Sequence, residues 1–337
     1  MDGDLHEALF WEAGEGGLID CRLCPRRCRI APGRTGTCGV RSNRDGRLFA
    51  LTYGRLSAVH VDPIEKKPLF HFMPGTEILS VGAAGCNLSC RFCQNWEMSK
   101  ASPDALPAAD YPPEAVVAAA VRHGCPSIAF TYNEPTVFAE YVIDTSALAH
   151  EAGLRTVMVT NGFIERDALA RVYEHIDAAN VDLKAFDDEF YRTWTGGSLA
   201  PVLDALVAMK AMGVWVELTT LLIEGLNTDE GRLRAQCRWI RENLGPDVPI
   251  HFSAFHPDYK MLDRRPTRPE ALRLARDVAR EEGLRFAYEG NVRSDGSNTY
   301  CPRCQRLLVR REWHEVVEDA LAGDCRCTCG EPIPMRR

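Results

Sequence analysis

The sequence predicts an α/β protein whose core is an incomplete parallel βα barrel, a (βα)6-type relative of the TIM barrel, with a cysteine-rich module at each end. Two observations carry this reading. Through the middle of the chain, short apolar, β-branched runs alternate with helical patterns, as repeated βα units around parallel strands require. All but Cys125 and Cys237 of the 14 cysteines fall into three clusters, one early, one after the first strand of the barrel and one late.

Strands are expected near 77–81, 127–131, 155–160, 179–183, 214–220, 249–254 and 285–288, and helices near 113–123, 136–152, 165–175, 200–212, 228–244 and 268–282. Several helices end at a glycine, such as Gly124, Gly153, Gly213 or Gly283, that can take the left-handed cap conformation. Six or seven units are fewer than the eight that close a full barrel. The expected organisation is an N-terminal cysteine-rich segment and lead-in over 1–74, the partial barrel over 75–292, and a zinc-ribbon or rubredoxin-like module over 293–337.

The first cluster, Cys21, Cys24, Cys28 and Cys38 in CRLCPRRCRIAPGRTGTCGVR, is broken by prolines and glycines and reads as a loop-rich module. The third, Cys301, Cys304, Cys325, Cys327 and Cys329, frames a short apolar stretch. The polar motifs between them sit in one kind of place. Cys86 to Cys93, TYNEP (131–135), TNG (160–162), DLK (182–184) and GN (290–291) all end or follow strands, and the carboxyl ends of parallel strands form the active-site face of such folds.

With 337 residues, 45% hydrophobic and 26% charged, the chain has material for a substantial core. Its formal charge of -7 gives no broad electrostatic reason to bind nucleic acid. The acidic start MDGDLHEALFWEAGEGG lacks a secretory pattern, no run approaches the ~20 apolar residues of a membrane span, and a cytoplasmic protein is expected. In a reducing compartment clustered cysteines point to metal rather than to disulfides. Packing suffices to explain Cys125 and Cys237.

Cys86, Cys90 and Cys93 supply three thiolates at C-x3-C-x2-C spacing. Soft thiolates suit iron–sulfur clusters, and a four-iron cluster held by cysteine alone needs four. Three leave one iron open. That iron can chelate the amino and carboxylate groups of S-adenosylmethionine (SAM), so that one electron breaks a carbon–sulfur bond and yields a 5'-deoxyadenosyl radical. The alternative, a zinc knuckle, wants a fourth ligand that is not nearby in sequence. At the C-terminus, Cys301 and Cys304 can enclose zinc or a single iron with Cys327 and Cys329, or with Cys325 in place of Cys327. Cys21, Cys24, Cys28 and Cys38 have thiolates enough for zinc or a second cluster.

The three-cysteine motif resembles the radical SAM superfamily. The wider stretches DPIEKKPLFHFMPG, GCNLSCRFCQNWEMSK, TYNEPTVFAEY, VTNGF, NVDLKAF, HFSAFHPDY and NTYCPRC, with the first cysteine cluster, are similar to AmmeMemoRadiSam-system radical enzymes, and in turn to the activases of pyruvate formate-lyase and other glycyl radical enzymes. The resemblance implies a [4Fe-4S] cluster on Cys86, Cys90 and Cys93 with SAM as cofactor. It implies that Asn133 and Glu134 receive the cofactor's ammonium group and that Asp182 and Lys184 lie beside its carboxylate or ribose. Thr160 and Asn161 match the activases' TNG, but Val159 stands where those enzymes have a carboxylate. His251 matches a histidine near the adenosine, with His256 at the strand's end. Glu65, Lys66 and Lys67 are read as solvated charges without a catalytic role.

The implied partners are a flavodoxin or ferredoxin reductant, a protein or small-molecule substrate, and the other proteins of an AmmeMemoRadiSam system; an activase would instead take hydrogen from a backbone glycine of a partner protein. A non-catalytic electron carrier or metal scaffold is the alternative of another class, opposed by the missing fourth ligand. An RNA-modifying radical enzyme is opposed by the acidic balance.

Overall fold

The structure is a computed structural model and describes residues 5–321 and 323–337. Its central sheet has eight strands: β1 (Ala58–Pro63), β2 (Glu77–Gly82), β3 (Ser127–Phe130), β4 (Arg155–Thr160), β5 (Ala178–Asp182), β6 (Trp215–Leu222), β7 (Ile250–Ala254) and β8 (Ala287–Gly290). They lie side by side in chain order. β2 to β8 are mutually parallel, and β1 is antiparallel to β2, from Ala58 opposite Gly82 to Pro63 opposite Glu77. The seven strands expected from the apolar runs are all present. β1 was not foreseen, because its VHVD alternation carries exposed His60 inside a stretch read as lead-in.

Parallel neighbours need crossover connections. These are α1 (Pro113–Arg122), α2 (Ala139–Glu151), α3 (Arg166–Val172), α4 (Ala200–Ala211), α5 (Glu230–Asn243) and α6 (Pro269–Glu281). α6 shows why the sequence folds so. Pro269 stands in the first turn, where a missing N–H costs nothing, and Leu272, Ala275, Val278 and Ala279 recur at helical spacing and are buried. α2 starts later than its apolar pattern, since Pro135 to Phe138 form a 3-10 turn in which the Thr136 N–H is capped by the Glu134 side chain. Among the described residues, no helix is long and apolar enough to cross a membrane.

The amino end of the barrel is plugged by the segment after β1. Ile64, Leu69 and Phe72 pack on Ile78, Ala129, Val157 and Ala178. The N–H groups of Phe70 and His71 donate to Glu217 on β6 at 2.9 and 2.8 Å, and Asn180 Nδ2 on β5 donates to the Pro68 carbonyl at 2.8 Å. This corrects the reading of Glu65 and Lys67 as solvated. Both are buried, Glu65 beside Arg311 and Lys67 2.7 Å from Asp62. Charge in the motif could not by itself distinguish a solvated turn from a plug whose ions are paired inside the barrel.

The C-terminal strands Thr299–Tyr300, Leu307–Glu312 and Glu315–Asp319 form an antiparallel sheet. The chain end then clasps the plug: the Arg336 N–H donates to the His71 carbonyl, and His71 Nδ1 lies 2.6 Å from the Pro334 carbonyl oxygen. Two small antiparallel sheets at the N-terminus, Trp11–Ala13 with Ile19–Cys21 and Arg29–Ile30, and His6–Glu7 with Arg47–Ala50 and Arg41–Arg44, pack into the main core.

Candidate active site

The loop after β2 carries Cys86, Cys90 and Cys93, and most of its fixings come from the carboxyl ends of other strands. Gly85 adopts φ +96°, and a Cβ there would stand 2.8 Å from the Cys38 carbonyl and 2.6 Å from Val40. Only glycine fits that approach. Asn133, just past β3, accepts from Ala83 N–H and donates to the Gly85 carbonyl at 2.9 Å. Asn161, past β4, donates to Asn87 Oδ1 at 2.9 Å and approaches Cys86 Sγ at 3.8 Å, while Asn87 Nδ2 donates to the Phe163 carbonyl. Ser89 and Arg91 N–H groups donate to the carbonyls of Thr195 and Trp194.

A cavity of about 410 Å³ opens above these residues and brings together nearly all the expected site. Cys86, Cys90, Cys93, Asn133, Glu134, Thr160, Asn161, Asp182 and Lys184 line it. Burial pushes the Cys86 and Cys90 thiols above the ordinary range, with Glu134 adding to the effect at Cys86 and Lys184 opposing it at Cys90. An uncharged thiol is a poor ligand, so a bound cation is what would hold these sulfurs as thiolates.

Glu134 is 1% exposed and largely committed to the protein. Oε1 accepts from Thr136 N–H, the Thr136 hydroxyl and the Thr160 hydroxyl at 2.9, 2.7 and 2.7 Å; Oε2 accepts only from Asn161 N–H at 2.8 Å. Oε2 therefore keeps one lone pair. Burial raises the pKa of Glu134 above the usual carboxylate range, against these four donors. Thr160 and Asn161 thus act here as supports for Glu134 and for the cysteine loop.

Asp182 and Lys184 form a 2.9 Å ion pair whose lysine is the more buried partner. Burial favours a neutral Lys184, but the charge of Asp182 prevails and holds it protonated. His251 does not line the cavity. It lies a layer deeper, buried 2.8 Å from Glu217 and stacked on Tyr288, and is not brought to the cavity with the other expected site residues. Ser253, two residues on and on the same strand face, occupies the wall instead. His256 is exposed and outside it.

The plug segment adds wall residues that sequence reasoning missed: Lys66, Lys67 and Pro68. Lys67 lies 4.8 Å above the Tyr132 ring, and burial pulls its pKa down against the attraction of Asp62. The available signal was two lysines and a proline set directly before the aromatic-rich stretch Leu69–Met73.

Away from this cavity, the sulfurs of Cys301, Cys304, Cys327 and Cys329 all lie within 4.8 Å of one another, with Cys301–Cys329 and Cys304–Cys327 at 3.6 Å. Tetrahedral thiolates at about 2.3 Å from one zinc are about 3.8 Å apart, which this set fits. Cys325 stands outside the group.

Comparison with known proteins agrees with this geometry. The family model described as the Radical SAM superfamily matches residues 81–236. The chain is 44% identical to an uncharacterized protein of Methanocaldococcus jannaschii over 98% of this chain and 99% of that one. It is 23% identical to the pyruvate formate-lyase-activating enzyme of Clostridium pasteurianum over 53% of this chain and 80% of the relative. A crystal structure of a radical SAM methyltransferase from Sphaerobacter thermophilus superposes with TM-score 0.53 at 18% identity, covering 70% of this chain and 71% of that one, a likeness of fold.

Proposed function

The chain belongs to the radical SAM superfamily, and on that premise we propose that it is a cytoplasmic enzyme which cleaves SAM reductively at Cys86, Cys90 and Cys93 and abstracts hydrogen from a substrate of an AmmeMemoRadiSam-type system. The observation that carries the reading is the meeting of three thiolates, one short of a full set, with Glu134 and the Asp182–Lys184 pair around one cavity. Three cysteines fit a [4Fe-4S] cluster with one open iron. When bound, that cluster supplies the electron that splits SAM into methionine and a 5'-deoxyadenosyl radical.

The chain's own residues bind and orient. The free lone pair of Glu134 Oε2 receives the ammonium group of SAM. Lys184, kept cationic by Asp182, faces the carboxylate or ribose hydroxyls. Asn133 and Asn161 fix the cysteine loop, and the plug with Lys67 closes the floor against water. A second cavity of about 1060 Å³, lined by Pro63, Lys66, Arg293, Trp313 and His314 among others, shares Lys66 with the first and is the place for a substrate larger than SAM. The electron comes from a flavodoxin or ferredoxin. The Cys301, Cys304, Cys327 and Cys329 set holds a single zinc or iron.

The similarity to a pyruvate formate-lyase-activating enzyme supports a second reading, in which the hydrogen comes from a backbone glycine of a partner protein. Electron paramagnetic resonance separates the two: a glycyl radical on a candidate partner, after incubation with reduced enzyme and SAM, supports the activase and overturns the first. For both, anaerobically reconstituted enzyme should release 5'-deoxyadenosine and Cys90→Ala should release none. Normal turnover by that variant would refute the site.

A further inference from the structure

Cys21, Cys24, Cys28 and Cys38 have no part in the reaction above, and we propose that they hold a second iron–sulfur cluster, ligated entirely by protein, that relays electrons to the cluster at Cys86, Cys90 and Cys93. The relay rests on that assignment of the inner site. Four thiolates occupy every iron of a cube and leave no corner for a substrate, which is the ligand set of an electron carrier.

The placement of the four supports a cluster over a single ion. Cys21 and Cys24 are buried, and Cys24 and Cys38 each lie within electrostatic reach of the other three cysteines. Among the described residues, however, only the C-terminal quartet draws its ligand atoms within 4.8 Å of one another. The turns nevertheless draw the N-terminal cysteines together: the Cys21 N–H donates to the Cys28 carbonyl at 2.9 Å, and the N–H of Thr37, beside Cys38, donates to Cys28 Sγ at 3.4 Å. Ligands on separate corners of a cube stand further apart than ligands on one metal ion.

A second observation comes from Arg41. Its side chain is 2% exposed, within electrostatic reach of Cys21 and Cys38. Nη1 is bound to both oxygens of Glu140 at 2.9 and 3.0 Å and Nη2 to the Leu9 carbonyl, yet Nε has no partner. A buried guanidinium N–H without an acceptor is costly, and a cluster sulfur or thiolate would satisfy it.

The module also touches the inner site. The Cys38 carbonyl packs on Gly85, the residue before Cys86, and Arg26, between Cys24 and Cys28, donates from Nε to the Asn87 carbonyl at 2.8 Å. One electron from a low-potential, one-electron donor such as a reduced flavodoxin converts the outer [4Fe-4S] cluster from 2+ to 1+. Its transfer inward returns the outer cluster to 2+ and reduces the inner one, with no bond made or broken.

The test uses two variants of the full chain, both reconstituted without oxygen. Cys86→Ala/Cys90→Ala/Cys93→Ala should keep on the order of four irons with matching sulfide, and a dithionite-reduced resonance signal that SAM does not alter. Cys24→Ala/Cys28→Ala should keep a SAM-sensitive signal and dithionite-driven 5'-deoxyadenosine formation, while flavodoxin-driven formation falls by an order of magnitude. A triple variant that binds no iron and sulfide beyond the one zinc or iron of the Cys301, Cys304, Cys327 and Cys329 set overturns the proposal irrespective of how the second variant folds. Failure of the inner-site assignment looks different: the triple variant would still make 5'-deoxyadenosine.

Discussion

Asn161 Nδ2 lies 2.9 Å from Asn87 Oδ1, and this contact fastens the end of β4 to the loop that carries Cys86. The amide also takes Phe163 N–H on its oxygen, so its orientation is fixed by the turn that follows. Asn161→Ala leaves a buried amide of Asn87 short of a partner, at a cost of about 1–3 kcal/mol. The expected outcome is faster loss of iron from the loop to a chelator, with the helical circular dichroism retained. Unchanged release would show that the contact does not hold the loop.

His71, buried in the barrel floor with its N–H on Glu217, makes that floor sensitive to acid. Burial pushes His71 down to about 4, against the pull of Glu217, while an unfolded chain takes its proton near 6.5. Between those values the unfolded state binds more protons, so stability is complete above about pH 6.5 and falls as pH drops toward 4, by up to about 3 kcal/mol. Burial also opposes ionisation of Glu217, but the His251 hydrogen bond and both histidines hold it below its usual range, so its contribution is lost at still lower pH. The urea midpoint of the wild type should therefore decline from pH 6.5 to 5 more steeply than that of His71→Gln. Parallel profiles would remove His71 as the cause.

The β2 to β8 strands and their helices were legible because each is an apolar run of the right period, and most of the polar residues that end those runs do line one cavity. What stayed hidden depends on long-range pairing. Arg311 and Glu65, 246 positions apart in the chain, meet beneath the barrel, and neither signals the other in sequence. His251 shares the inward face of its strand with Ser253, and nothing in a period of two says which of them stands at cavity height. The selection of Cys327 over Cys325 likewise follows from the turn that brings the chain back past Cys304.

That selection predicts the response of the C-terminal module to mutation. Cys325→Ala should retain about one zinc or iron per chain there, and Cys327→Ala should lose it. Because Phe70 shares one apolar cluster with Cys301 and Cys327, and the chain end clasps His71, metal loss should also raise hydrogen exchange at the amides of Phe70 and His71. Exchange confined to the module would mean that the plug stands without it.

Gly85 offers the sharpest separation of loop geometry from fold. An alanine there meets backbone oxygen at 2.8 Å and a valine methyl at 2.6 Å, on a φ of +96° that side chains rarely adopt. Such strain costs about 1–3 kcal/mol even before the contacts are relieved, and the cysteine loop, outside the sheet and held by single hydrogen bonds, is the part expected to move rather than β2. Gly85→Ala is therefore expected to keep the barrel's thermal unfolding within a few degrees of the wild type while losing most of the inner iron and nearly all 5'-deoxyadenosine formation. Full iron loading in that variant would show that the loop has a second conformation able to seat Cys86, Cys90 and Cys93, and that the close approach to Cys38 is dispensable.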